Sequence, residues 1–178
     1  MTQSEILNKL EEEFSDIEKT ASSFTEDQFF QNPIPGKWSA AQNLEHLFMS
    51  TRPLAGLFAT PEVMAEKWGR SNKPSCSYDE VVEVYLQRVG NVGAGIPAFT
   101  PQDTELTKGE QIIKFDLVNE KLVDRAAKLS EADLDTYQAP HPLIGLLTVR
   151  EFLYFTLYHS KRHHGAIKNA LNSLKSKV

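Results

Sequence analysis

Thr148-Val149-Arg150-Glu151-Phe152-Leu153-Tyr154-Phe155-Thr156-Leu157-Tyr158-His159-Ser160-Lys161-Arg162-His163 opens with a helix cap and continues in a helical repeat. Thr148-x-x-Glu151 is a capping-box pattern, in which hydroxyl and carboxylate take up backbone N–H groups that a first turn leaves unpaired. Beyond it Phe152, Phe155, Thr156, His159, His163, Ala166, Ile167 and Ala170 fall three or four apart, so the spacing predicts one long helix with this stripe turned into a core. The helix runs on into a Lys-rich tail, which suits a helix C-terminus.

Working back from that helix, the segment through Pro140, His141 and Pro142 is turn-rich. A helix is expected from about Gly109 to Leu129, with Phe115, Val118, Leu122, Ala126 and Leu129 in register. Ser77-x-x-Glu80 caps a shorter helix through Val81, Val84, Tyr85, Arg88, Val89 and Val92, ended by Gly93, Gly95 and Pro97. From Thr60 to Ser77 the pattern fades into a long connection, in which Trp68 reads as a packing residue, with a lid residue as the alternative. Ser39-x-x-Gln42 opens another helix whose buried face is Leu44, Leu47, Phe48, Thr51, Leu54 and Ala55; Pro53 bends it without ending it. Trp38 is read as sealing the start of that helix against the core. The first 24 residues form a helix on Ile6, Leu10, Phe14, Ile17, Ala21 and Phe24, capped by Thr2 and Glu5, and the prolines of Gln31–Gly36 end it. There is no β-hairpin signal, no sustained alternation and no repeat. The expectation is an all-α fold: an antiparallel four-helix bundle with one inserted shorter helix, a single domain over 1–178.

Composition narrows the function classes. The chain has 178 residues, 19 basic against 24 acidic side chains and a formal charge of −5, with 40% hydrophobic residues. Such a balance does not neutralise a run of phosphates, which argues against nucleic-acid binding. Apolar runs stop short of the roughly 20 residues that a membrane helix needs. Met1-Thr2-Gln3-Ser4-Glu5 is not a secretory n-region, so a cytoplasmic protein without a membrane partner is expected. Cys76 is the one cysteine, which excludes an intramolecular disulfide or a cysteine-rich metal framework. It stands in a polar loop without an activating neighbour, so a catalytic thiol is the lesser reading.

Histidines carry the chemistry. His159 and His163, four apart, share a helix face and can hold one metal ion between them; the plain alternative is a pair of core histidines bonded to backbone or water. His46 lies on a stripe with Gln42, Asn43 and Ser50, and alone reads as a solvated residue. In a bundle, that stripe facing a polar cleft would add a third nitrogen and leave positions open for water. His-Ser-Lys-Arg-His lacks the glutamate of a zincin, and no nucleophile elbow, Walker loop or dinucleotide fingerprint occurs. His164 is expected at the rim, and His141 as a loop-packing residue or part of a cleft wall. Glu151, about 12 Å from His159 along the helix, is too far to serve as a base.

Two segments resemble the DinB superfamily of small metal-binding four-helix bundles, with its YfiT-like branch of proposed metal-dependent hydrolases. The first is Gly36-Lys37-Trp38-Ser39-Ala40-Ala41-Gln42-Asn43-Leu44-Glu45-His46-Leu47; the second runs from His141-Pro142-Leu143 through Thr148-Val149-Arg150-Glu151 to His159 and Arg162-His163. The resemblance implies an up-down-down-up bundle, commonly a homodimer, with His46, His159 and His163 holding a divalent ion such as zinc or nickel. It implies a metal-dependent enzyme that performs hydrolysis or thiol (S-) transfer on a small molecule, with a low-molecular-weight thiol as a candidate partner. The competing reading is a non-catalytic metal-binding or stress-associated bundle.

Overall fold

The computed structural model describes residues 1–90, 97–102 and 104–176. Four long helices carry the core: α1 (Gln3–Ser22), α3 (Ala40–Phe58), α6 (Lys108–Ala126) and α8 (Val149–Lys175). Between them lie α2 (Glu26–Phe30), α4 (Pro61–Trp68), the expected shorter helix α5 (Tyr78–Val89), a 3-10 turn at Pro97–Phe99, α7 (Glu131–Thr136) and a hairpin of β1 (Gln138–His141) and β2 (Gly145–Thr148). Each capping box read from the sequence is formed, with Thr2, Ser39, Ser77 and Thr148 as N-caps. Pro53 lies inside α3.

Hydrogen bonds between helices fix their directions. Gln3, at the start of α1, donates to the carbonyls of Ala126 and Leu129 at the end of α6; Lys108, at the start of α6, donates to the Phe24 carbonyl. Those two helices are therefore antiparallel. Lys114 meets Glu45, and Arg125 donates to the Ala55 carbonyl, so α3 and α6 run parallel. Asn43 meets His163 while His46 meets His159, which sets α3 against α8. Met1 reaches Tyr154 and Thr20 reaches His164, so α1 and α8 run together. The order is up-down-down-up.

The core between them holds Ile6, Leu10, Ile17, Leu44, Leu47, Phe115, Leu122 and Phe152, none more than 2% exposed. At about 25 cal/mol per Å², burying such side chains contributes roughly 1.5–3 kcal/mol each. Along α5, Val81 and Tyr85 are buried and carry its packing, while Val84 is exposed. Val92, Gly93 and Gly95 lie outside the described residues. Among the described residues no helix is long and apolar enough to cross a membrane.

Three features depart from the sequence reading. The Thr60–Ser77 connection contains α4, led by Pro61 in the first turn. Helices α2 and α7 are five and six residues long, shorter than two full turns, so no periodicity announces them. The segment read only as turns is an antiparallel hairpin pairing Gln138 with Thr148 and His141 with Gly145. Its strands are four residues each, too short for alternation to show, and β1 contains Pro140. Gly145, at φ +106°, is the left-handed residue by which the chain enters β2 directly after the three-residue turn at 142–144.

Candidate metal centre and its cleft

His46 projects from α3, and His159 and His163 from α8, so that one ring nitrogen of each lies within 4.8 Å of the others. His46 Nε2 and His159 Nε2 are 3.1 Å apart. Ring centroids are 4.6 Å apart for His46–His163 and for His159–His163, and 5.0 Å for His46–His159. Two protonated imidazoles would repel at this range, so the arrangement requires neutral rings.

Two of the three rings are locked with Nε2 free to coordinate. His46 Nδ1–H donates to the Phe99 carbonyl at 2.6 Å. His163 Nδ1–H donates to Asn43 Oδ1 at 2.8 Å. The Asn43 amide cannot be reversed, because its Nδ2 donates to the Ser39 carbonyl at 2.8 Å. Each Nδ1–H is thus consumed, leaving a lone pair on Nε2. Outer hydrogen bonds of this kind orient ligating histidines in metal sites. The 3.1 Å spacing also matches the roughly 3.3 Å between two nitrogens on one tetrahedral ion with 2.0–2.1 Å bonds. The donor set fits a divalent ion of intermediate softness.

Burial pushes all three imidazoles toward the neutral form: His163 down to about 3, His159 well below its ordinary value, and His46 down despite the Phe99 carbonyl. The nearby Arg162 charge adds to the effect in each.

The cluster opens on a cleft of about 930 Å³. Because α3 and α8 are antiparallel, the cluster stands mid-cleft. Toward one end lie Leu54 and Leu57 of α3, Phe152 and Phe155 of α8, and His141 of the hairpin; toward the other lie Ile34, Lys37, Trp38, Asn169 and Ser173. The lining among the described residues includes Lys37 and Arg162 but no aspartate or glutamate.

His141 is a cleft-wall residue. Its Nδ1 accepts from the backbone N–H groups of Leu143 and Ile144, each at 3.2 Å, so its proton sits on Nε2. Burial holds its pKa down to about 4. It is therefore a neutral hydrogen-bond donor at pH 7, with its basic nitrogen already used.

Other expectations change. Trp38 does not seal the helix start against the core: its ring stacks over His163 at 6.0 Å and lies 5.1 Å from His46, forming a wall of the site. His164 is not at the rim. It is buried on the opposite side of α8, with Nδ1 2.7 Å from Glu13 Oε1 and Nε2 2.9 Å from Thr20. Helix spacing gave its 100° offset from His163 correctly, but α1 covers that face. Glu151 is committed elsewhere, accepting from the N–H groups of Thr148 and Cys76. Cys76 is exposed, and partial desolvation followed by the Glu151 carboxylate pushes its thiol up, away from reactivity. Trp68 packs partly buried against the core, as expected. Asn43, Trp38, Tyr85 and Arg162 belong to the site without having been singled out as such by the sequence; Asn43 and Arg162 stood beside the histidines in the quoted segments, which was the available signal.

The profile of the DinB superfamily matches residues 9–167. The chain belongs to the DinB superfamily. The uncharacterized protein YuaE of Bacillus subtilis strain 168 is 25% identical over 147 residues, which cover 81% of this chain and 83% of YuaE. Among solved structures, Bacillus subtilis YfiT, described as "a probable metal-dependent hydrolase with an unusual four-helix bundle topology", superposes with a TM-score of 0.64 at 15% identity over 97% of this chain and 87% of YfiT. The four-helix bundle protein TT2238 gives a TM-score of 0.60 at 15% identity over 94% of this chain and 99% of its own. A Streptococcus pneumoniae protein gives 0.60 at 16% identity, covering 95% of this chain and 90% of that one. At these identities the likeness is one of fold, and the three-histidine cluster of this DinB chain is compatible with a metal-dependent activity.

Proposed function

We propose that this chain is a metal-dependent enzyme that uses His46, His159 and His163 to hold zinc or nickel and acts on a small molecule in the adjoining cleft. The observation that carries the reading is the locking of His46 and His163 through Nδ1, with His46 Nε2 3.1 Å from His159 Nε2. Core histidines with no task do not need three coordinating nitrogens within 4.8 Å of one another. A divalent ion held there supplies Lewis acidity, lowering the pKa of a water or thiol that reaches it or polarising an electrophile. The chain's own contributions are orientation by Asn43 and the Phe99 carbonyl, a neutral N–H from His141, and apolar walls that thin out water. Among the described residues no fourth protein ligand joins the cluster, which favours an open catalytic site over a saturated structural one.

A water or a thiol made acidic at the centre serves as nucleophile without a carboxylate base, of which the described lining has none, so the reading covers both hydrolysis and thiol transfer.

Elemental analysis of protein purified without a nickel column, beside His46→Ala and His159→Ala, tests the proposal. Near one ion per chain, lost in both variants, is the expected result. Metal-free protein that also fails to take up added zinc would overturn it. Loaded protein is then assayed for consumption of low-molecular-weight thiols against carbon electrophiles, beside ester and amide substrates.

A further inference from the structure

The overall charge of the chain is −5, yet the two charged side chains that line the cleft among the described residues, Lys37 and Arg162, are both cations. Neither makes an ion pair among the described residues, although Arg150, Lys114 and Lys19 all do. Arg162 stands on α8 between His159 and His163. Its Nη1 donates to the Tyr85 hydroxyl at 3.0 Å, and the Tyr85 ring lies 5.1 Å from Phe155 and 6.2 Å from His159. Tyr85 thus braces the guanidinium beside the histidine cluster with its other donors available, and leads from it along Phe155 to the apolar end of the cleft. A lone guanidinium braced by a neutral hydroxyl suits a carboxylate or sulfonate, which it can grip through two parallel N–H donors. The Leu54, Leu57 and Phe155 end suits the hydrocarbon part of the same molecule.

We infer that the cleft selects a small amphiphilic anion, its carboxylate or sulfonate on Arg162 and its apolar body against Leu54, Leu57 and Phe155. Lys37, at the other end of the cleft, adds long-range attraction for the same charge. This specificity rests on the reading of the cleft as the substrate site; it does not require that the reaction be thiol transfer.

Two probes with one skeleton separate charge from burial: 8-anilinonaphthalene-1-sulfonate and its uncharged counterpart N-phenyl-1-naphthylamine. Fluorescence titration of the full chain, both zinc-loaded and chelator-treated, is expected to give about tenfold tighter binding of the sulfonate at low salt, the size of one charge-assisted hydrogen-bonded contact. Arg162→Gln should abolish that preference while leaving the neutral probe's affinity within about twofold, and Arg162→Lys should restore part of it. Lys37→Gln should weaken the sulfonate mainly at low salt. Equal affinities for the two probes, or a preference that survives Arg162→Gln in protein with an unaltered melting curve, would overturn the inference. Zinc stoichiometry is measured on the same samples. One zinc per chain without charge preference sinks this inference and leaves the metal reading standing, and charge preference without zinc uptake does the reverse.

Discussion

Asn43 bears on the candidate centre without touching its middle. Its carbonyl holds the His163 tautomer while its amide is tied to the first turn of α3, so backbone and ligand are coupled through one side chain. Asn43→Ala is expected to lower zinc affinity by roughly 10–100-fold, the usual cost of an outer-shell partner, and to destabilise the zinc-free protein by about 1–3 kcal/mol because the His163 Nδ1–H loses its acceptor, the buried Asn43 side chain; competition against a fluorescent chelator and a melting curve measure the two. A second expectation concerns pH. His163 and His141 have folded pKa values near 3 and 4 against 6.5 when unfolded. Between those limits the unfolded chain binds more protons than the folded one, so stability rises with pH. The zinc-free protein should therefore be most stable above pH 6.5 and lose stability steadily toward pH 4. His163→Gln should flatten the slope, and urea titrations at pH 7.5, 6.0 and 5.0 would sink the idea if wild type and variant ran parallel. Sequence spacing set the three histidines on the correct helix faces, but His46 alone read as solvated because spacing does not report what stands opposite a face.

Among the helices, α8 is fastened on two sides by buried polar groups unconnected with the centre. Glu151 caps its own helix through Thr148 and also accepts from Cys76 N–H at 2.7 Å, just before α5 begins. Glu151→Ala leaves two N–H groups without an acceptor and should cost about 1–3 kcal/mol, with zinc stoichiometry unchanged. On the opposite face, His164 ties α8 to Glu13 and Thr20 of α1. Glu13→Ala is expected to destabilise by a comparable 1–3 kcal/mol without altering zinc affinity, although its partner is the immediate neighbour of His163. Chemical denaturation with parallel metal titration distinguishes this division from a single merged network. The long helices and their caps were legible because cap residues and three-four spacing are local. Helices of five to eight residues and four-residue strands were not, since they hold too few positions for a period to emerge.

Over the whole molecule, α3 and α6 run parallel, so the chain must cross the full bundle length between them instead of turning back tightly. Helix α6 also carries two buried amides, Gln111 and Asn119, for which no hydrogen-bond partner occurs among the described residues. Asn119→Leu keeps a similar volume and removes that desolvation cost, so it should raise stability by about 1 kcal/mol, visible as a higher urea midpoint with unchanged slope. A lower midpoint would mean that the amide is satisfied in solution. The amino-acid sequence by itself determined the helical class, the helix caps and which faces the three histidines occupy, because each depends on residues within one or two turns. Only the tertiary structure decided that α3 and α8 run antiparallel, bringing His46 to His159. It also decided that α1 covers His164, and that Trp38, Tyr85 and Arg162 join one cleft. Those outcomes depend on which helix lies beside which, a property of packing between residues more than seventy positions apart that no local pattern encodes.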